Sequence, residues 1–320
     1  MRIGVIGAGA VGAATLSALV RGGGVDPELV VVDLDEKKAT GLAEDFSYAA
    51  ALESLATVTA GGYDALAGAG LVIVTAGVNE RDGGATDRSD PAGRRRLIPV
   101  NARAYASIIP DIAAHAPDAT ILVVTDPPDP LADLARALAP SQPVVSTGTV
   151  IDSLRFRHRI ARDLGVRARD VDATVVGEHG TSSVYLWSTA TVGGARVVDL
   201  FAQRGDDVEA TRKRIQDAVT FGNISIIEGI GASQHGIGAV VGRIAEAIVR
   251  DENAVLPVAS YRDEYGATLG LPSVLGARGV ARTIAPALSD DERAALEASA
   301  AVLRDAAALA LASAGTPGPA

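Results

Sequence analysis

The chain has 320 residues, a formal net charge of −10 and 48% hydrophobic residues, enough apolar material for one large or two medium domains. The acidic balance argues against nucleic acid as a partner, because phosphate binding needs a basic face, although a local arginine cluster can still hold a small anion. The absence of cysteine excludes disulfides, thiol nucleophiles and thiolate metal sites, and no metal site is expected.

The start, MRIGVIGAGAVGAATLSALV, has the outline of a signal peptide, a basic residue before an apolar run. Its glycines stand at fixed offsets, and an acidic residue closes the next apolar run, which suits a nucleotide fold better. No glycine-free apolar run reaches the roughly 18 residues of a membrane span. No membrane association is expected, and the location expected is cytoplasmic.

In chain order, RIGVIG (2–7) reads as a buried strand and AVGAATLSALVRGG (10–23) as a helix ending in glycine. ELVVVDLD (28–35) is a second strand and EKKATGLAEDFSYAA (36–50) a second helix. TVTAG (57–61), LVIVTAG (71–77) and TILVVTD (120–126) are further strands, with a helix over 101–115 before the last. Strands that are apolar throughout, alternating with helices, predict an α/β fold with a doubly wound parallel sheet covered on both faces.

The second half is of a different kind. VIDSLRFRHRIARDLG (150–165) reads as a helix, 172–180 and 182–194 as more antiparallel strands, and 205–250 as a long helical region. A closing helix over 289–314 starts at Ser289, with Glu292 at capping-box spacing, and the tail GTPGPA reads as frayed.

GAGAVG sets Gly7, Gly9 and Gly12 after a strand and at the start of a helix. The first glycine permits the tight turn, the second lets the backbone approach a pyrophosphate, and the third lets helix and strand pack closely. Asp33, at the end of the second strand, would bond ribose hydroxyls and repel a 2′-phosphate, so the cofactor expected is NAD. Asp35 is the near alternative for that contact.

VVGEHG (175–180) puts His179 between a strand end and a turn. An alcohol that surrenders a hydride needs a base for its hydroxyl proton, and neutral imidazole suits that task. His115, His158 and His235 read as structural. IDSLRFR (151–157) offers Asp152, which can fix an imidazole tautomer, and Arg155, which can hold a carboxylate in a bidentate grip.

GAGAVG, VVVDLD, VTAG, NARAYASIIP, VIDSLRFR, GEHG with SSVYLWS, and EGIGASQHGIG together resemble the L-lactate/malate dehydrogenase family, over nearly the full length. The resemblance implies an NAD-binding Rossmann domain over 1–145, with a substrate loop at 78–100, and a C-terminal α/β (α+β) catalytic domain over 146–320. It implies cofactor contacts at Gly7, Gly9, Ala10, Val11, Gly12, Asp33, Thr75, Ala76 and Gly77. His179 becomes the proton acceptor, Asp152 its carboxylate partner, Arg155 the clamp on the substrate's 1-carboxylate, and Ser233 a substrate-pocket residue. A homodimer or homotetramer is implied as well.

In this family the loop after TAG closes over the substrate and carries a catalytic arginine a fixed distance before the asparagine that opens the next helix. Counting back from Asn101 gives Arg94, and counting back again to the side chain that selects the substrate gives Arg88, with Arg81 the fallback. The loop is about eight residues longer than is usual. With the extra length placed ahead of Arg88, residues 79–87 become an enlarged flexible approach and 88–94 the grip. An arginine at the selecting position accompanies malate and oxaloacetate in the family. The implied activity is therefore hydride transfer between NAD and an anionic L-2-hydroxy or 2-oxo acid, with malate/oxaloacetate favoured. The alternatives are a lactate-like or bulkier 2-hydroxy acid and, in another class, a non-catalytic NAD-binding sensor. Asp126 departs from the pattern: the family has asparagine there, beside the substrate oxygen, and a carboxylate puts the ordinary substrates in doubt.

Overall fold

A computed structural model describes residues 1–22, 27–90 and 93–315. Residue 23 of the first expected helix, residues 91 and 92 of the expected grip, and 316–320 of the tail lie outside the described residues.

The first half alternates as expected: β1 (Arg2–Ile6), α1 (Ala10–Arg21), β2 (Glu28–Val32), α2 (Glu36–Glu53), β3 (Thr57–Ala60), β4 (Ala69–Val74), α3 (Ile98–His115), β5 (Thr120–Val123), α4 (Pro128–Leu138) and β6 (Val144–Ser146). The strands pair in parallel in the order β3-β2-β1-β4-β5-β6. The order reverses between β1 and β4, and in such sheets that reversal opens a crevice at the carboxyl ends of the strands. The glycine turn, Asp33, Thr75 and Asp126 stand at those ends. Successive strand residues point to opposite faces: Val5, Val31, Ile73 and Leu122 enter one core, and Val30, Val72, Ile121 and Val123 the other. Burial on both faces is why these segments are apolar throughout and not alternating. The start of α4 was hidden in the sequence because Pro127-Pro128 reads as a turn, whereas proline is well tolerated in a first helical turn.

The second half begins with α5 (Val150–Leu164). Five two-residue strands follow, β7 (Val171–Asp172), β8 (Val175–Val176), β9 (Val184–Tyr185), β10 (Thr191–Val192) and β11 (Ala195–Arg196), and then α6 (Val197–Arg204). The long strands expected over 172–180 and 182–194 are therefore broken. Glu178 turns its carboxylate back to accept from Ser182 N at 2.9 Å and Ser182 Oγ at 2.6 Å, which folds 177–183 into a tight turn. The helical stretch expected over 205–250 is three helices, α7 (Val208–Thr220), α8 (Gly222–Ile230) and α9 (His235–Val249). Gly231 ends α8 at φ 82°, a left-handed conformation that glycine adopts without strain.

Five strands that the sequence did not suggest follow: β12 (Ala254–Leu256), β13 (Ala259–Arg262), β14 (Ala267–Gly270), β15 (Ser273–Gly276) and β16 (Gly279–Thr283). β13 pairs antiparallel with β6 and with β14, so the second half completes an eight-stranded sheet. α10 (Asp290–Ala314) closes the chain and packs on α3 and α4. A smaller core holds α5 in place: Phe156 meets the Trp187 and Tyr185 rings edge-on, at centroid distances of 4.7 and 5.3 Å. No helix among the described residues is long and apolar enough to cross a membrane.

The expected capping box is formed: Glu292 N donates to Ser289 Oγ and Ser289 N to Glu292 Oε2 at 2.9 Å. Glu292 also accepts from Ser188 N at 2.9 Å, tying α10 to the second half. Ser289→Ala removes one arm of the box and is expected to cost about 1 kcal/mol. A denaturant midpoint identical to that of the parent protein would contradict this.

Candidate active site

The glycine turn after β1 is built to approach a phosphate. A Cβ on Gly12 would stand 1.9 Å from Gly7 O, so only glycine lets α1 pack on that turn, whereas the space above Gly9 is open for 4 Å. Gly9 caps α1 without a side chain, which leaves the first-turn N–H groups of Ala10, Val11 and Gly12 to an outside acceptor. Asp33 lies at the end of β2, where its carboxylate accepts from Ala8 N at 2.6 Å and Asp35 N at 2.9 Å. Asp35 is used otherwise: it caps α2, accepting from Lys37 N and Lys38 N. Thr75 Oγ1 donates to Ile6 O and Gly7 O at 3.0 Å, and Ala76 N lies where a Cβ on Gly7 would fall. This side of the crevice fits a dinucleotide on its own geometry.

Val11, Thr75 and Gly77 continue into a cavity at the carboxyl ends of β4 and β5. His179, Arg94, Asp126, Arg155 and Ser233 also line it, with Asp152 directly behind. Of the substrate-side residues expected, Arg88 alone is absent from this group.

His179 follows β8 through Gly177, whose φ of 84° and close approach to Ser299 Oγ suit glycine. Its backbone N–H donates to Asp129 Oδ2 at 2.9 Å, and Asp129 also accepts from Ser146 Oγ at 2.6 Å. Burial pushes the Asp129 carboxyl up to about 7, against the pull of those two bonds. His179 Nδ1 bonds Asp152 Oδ2 at 2.5 Å, and its Nε2 meets Arg94 Nη1. Guanidinium can only donate, so Nε2 presents its lone pair and Nδ1 carries the proton to Asp152. Burial works against the Asp152 charge, but the His179 imidazole, followed by Arg155 and Arg94, holds the carboxyl below its usual range.

Asp152 stands on the first turn of α5 and Arg155 one turn later, with Arg155 Nη1 3.7 Å from Asp152 Oδ1. Arg155 Nη1 is buried without a hydrogen-bond partner. Desolvation lowers the Arg155 guanidinium below its usual value, and Asp152 only partly offsets this. Such an arrangement awaits an anion. Arg94 sits deeper. Burial opposes its charge, and Asp126, Glu80, Asp152 and Glu178 together outweigh that opposition.

The loop differs from expectation in which part faces the cavity. Asn101, fully buried, accepts from Val78 N at 2.7 Å and donates to Val78 O at 3.1 Å and Asp126 O at 2.7 Å. This clamp pins the first residues after β4, so Asn79 and Glu80 line the cavity. The chain then folds into an internally bonded turn, with Gly83 N donating to Asn79 O at 2.9 Å and Ala85 N to Glu80 O at 2.7 Å. Residues 79–85 are therefore a defined turn and not the flexible approach expected. Arg88 points away: it grips Glu228 of α8 through two bonds of 2.8 and 2.9 Å, with Ser225 Oγ at 3.1 Å, and its side chain is 45% exposed. The fallback, Arg81, is 63% exposed and pairs with Asp82.

Sequence reasoning missed Glu80 and Asn223. Asn223, buried on α8, lines the cavity and donates to Glu80 Oε1 at 3.3 Å. The signal for Glu80 lay in the loop length. The count to Arg88 placed the insertion of about eight residues ahead of the selecting position. Placing it after that position moves the count by the same amount, from Arg88 to Glu80.

Comparison with known proteins agrees with this geometry. The family model for the NAD binding domain of lactate/malate dehydrogenases matches residues 1–145, and that for their alpha/beta C-terminal domain matches 149–313. The chain is 44% identical to an L-lactate dehydrogenase of Deinococcus radiodurans, over 95% of this chain and 97% of that one. It is 42% identical to an L-lactate dehydrogenase of Thermus aquaticus, over 96% and 98%. The crystal structure of a minor L-lactate dehydrogenase from Enterococcus mundtii, in a ligands-bound form, superposes with a TM-score of 0.86 at 32% identity, covering 96% of this chain and 97% of that one. The chain is an NAD-dependent oxidoreductase of 2-hydroxy acids and belongs to the lactate/malate dehydrogenase family.

Proposed function

We propose that this protein interconverts a monocarboxylic L-2-hydroxy acid and its 2-oxo acid. The reading rests on one observation, the convergence of Arg94 Nη1 on His179 Nε2 at the cavity wall, with Asp152 bonded behind the imidazole. NAD bound along the glycine turn supplies the hydride acceptor or donor. In this reading 1–145 is the cofactor half, which also contributes Arg94 and Asp126, and 146–320 is the substrate half.

In the oxidative direction, His179 Nε2 takes the hydroxyl proton while Asp152 keeps the ring oriented and stabilises the imidazolium that forms. In the reductive direction the same nitrogen returns the proton to the carbonyl oxygen. Arg94 lies beside that nitrogen, within reach of the oxygen on which negative charge develops, where a buried cation lowers the barrier most. Arg155 holds the 1-carboxylate through its guanidinium, whose buried Nη1 has no hydrogen-bond partner, and Ser233 and Thr75 line the same cavity.

A dicarboxylate is the weaker reading. Its support was Arg88, which is spent on Glu228, and the cavity offers Glu80 and Asp126 to a second carboxylate instead. The relatives named L-lactate dehydrogenase favour a monocarboxylate.

His179→Asn is expected to lower kcat by about 10²–10⁴-fold while leaving binding of reduced NAD, followed by its fluorescence, nearly unchanged. A normal kcat would remove His179 from the mechanism. Arg88→Gln is expected to leave the oxaloacetate-to-pyruvate ratio of kcat/KM within about threefold of the parent, as for an exposed ion pair remote from the reaction. A shift of orders of magnitude would restore Arg88 as the selecting residue.

A further inference from the structure

The reacting end of the cavity is accounted for by His179, Asp152, Arg94 and Arg155. Two further charged side chains line it, and both are acidic. Glu80 reaches in from the turn after β4 and Asp126 from the end of β5. Both acids line the same wall, close enough for the Asp126 charge to act on Glu80. Asp126 Oδ2 is 3.4 Å from Arg94 Nε, and its Oδ1 is 3.8 Å from His179 Nε2. Only 18% of the Asp126 side chain is exposed, so solvent screens it little. Burial and the neighbouring Asp126 push the Glu80 carboxyl above its usual range, with Arg94 in part opposing. Two carboxyl groups held this close need a shared proton or a cation between them.

A charge balance over the same cavity points the same way. With a cation between the two acids both are ionised: Arg94, Arg155 and, during ketone reduction, His179 are positive, and Glu80, Asp126 and Asp152 are negative. These six side chains then sum to zero. A simple 2-oxo acid leaves one negative charge, and a dicarboxylate two, to be met by taking up protons between the acids. A 2-oxo acid with one positive group restores neutrality, and in a poorly screened site that difference is felt in affinity. Asn223 donates to the Glu80 carboxylate, and Asn101 fixes the backbone that carries Asp126 by donating to its carbonyl. The two acids are therefore positioned as acceptors before any substrate arrives.

We propose that Glu80 and Asp126 form an acidic subsite that selects a 2-hydroxy or 2-oxo acid whose side chain carries a protonated amine or a guanidinium. This rests on the 2-hydroxy acid reading above and names the substrate class within it. The 1-carboxylate stays on Arg155, the C2 oxygen lies between His179 and Arg94, and the cationic group lies between the two acids.

The test uses the full-length protein with NAD and follows the absorbance of reduced cofactor. The probes are L-4-amino-2-hydroxybutanoate and its neutral isostere L-2-hydroxypentanoate, together with L-5-guanidino-2-hydroxypentanoate, L-lactate and L-malate. At least one amino or guanidino acid is expected to exceed the neutral isostere in kcat/KM by about tenfold or more, the scale of one well-placed ion pair, with L-malate poorest. Glu80→Gln and, separately, Asp126→Asn are expected to lose that preference, through KM and, for Asp126→Asn, through kcat as well, and to gain relative rate on the neutral acids. Melting temperatures close to the parent's identify variants that fold. Equal or better rates on the neutral isostere and L-lactate in the parent protein would overturn the acidic subsite while leaving the dehydrogenase reading intact. No turnover of any 2-hydroxy acid, with reduced NAD still bound, would overturn both.

Discussion

A carboxylate buried away from water needs partners, and the Asp152 carboxylate organises this molecule's chemistry for that reason. It is 3% exposed, and an isolated charge so placed would neutralise itself or destabilise the fold by several kcal/mol. The His179 imidazole, Arg155 and Arg94 surround it. Each comes from a different place, the turn after β8, the second turn of α5 and the long loop before α3. The requirement to compensate one carboxylate therefore brings together three segments far apart in sequence. The aromatic contact of Phe156 with Trp187 and Tyr185 fixes the helix that carries Asp152, so packing and electrostatics hold the same geometry.

A second polar anchor decides what the cavity presents to its ligand. Asn101 is buried in α3, and its amide ties Val78 at the base of the loop to the carbonyl of Asp126. Loops tolerate inserted residues because their exposed tips have few obligations. Here the extra length is taken up beyond residue 80, where an internally bonded turn and the Arg88–Glu228 grip hold it on the surface. The residues nearest the strand end keep their place. An insertion can thus change the outer face of a lid without moving the side chains at its root.

What the sequence disclosed follows from how local each signal is. The parallel sheet was legible because a strand covered on both faces must be apolar throughout, as in LVIV and ILVV. The glycine turn was legible because steric necessity at Gly7 and Gly12 leaves a fixed spacing. His179, Asp152 and Arg155 were picked out through motif strings, and Arg94 by a count back from Asn101. The errors arose where structure is set by tertiary contact. The strands at 254–283 are three to five residues long and carry little periodicity. The helical stretch 205–250 is interrupted by a left-handed glycine that looks unexceptional in a helix-rich window. Arg88 was expected in the cavity because the count assumed where an insertion falls, whereas the Asn101 clamp, a tertiary contact, brings Glu80 there.

The residues near the reacting atoms and those farther along the cavity are constrained differently. Proton transfer and oxyanion stabilisation tolerate little change, since a base, its orienting carboxylate and a cation must meet at one point. That set is present in this chain with the tautomer already fixed by Arg94 and Asp152. Selectivity is a difference of interaction energies and can be rebuilt by changing the charge at a wall. Glu80 and Asp126 are such a wall, standing at the ends of β4 and β5 and supported by α3 and α8. Because Asp126 also touches Arg94, its charge bears on both tasks: it raises the guanidinium's hold on its proton and draws part of its field away from the substrate oxygen. A substrate cation that engages Asp126 would return that field to the reacting oxygen. The fit of the far end of the substrate would then be felt in kcat as well as in KM, as expected where remote binding energy serves the chemical step.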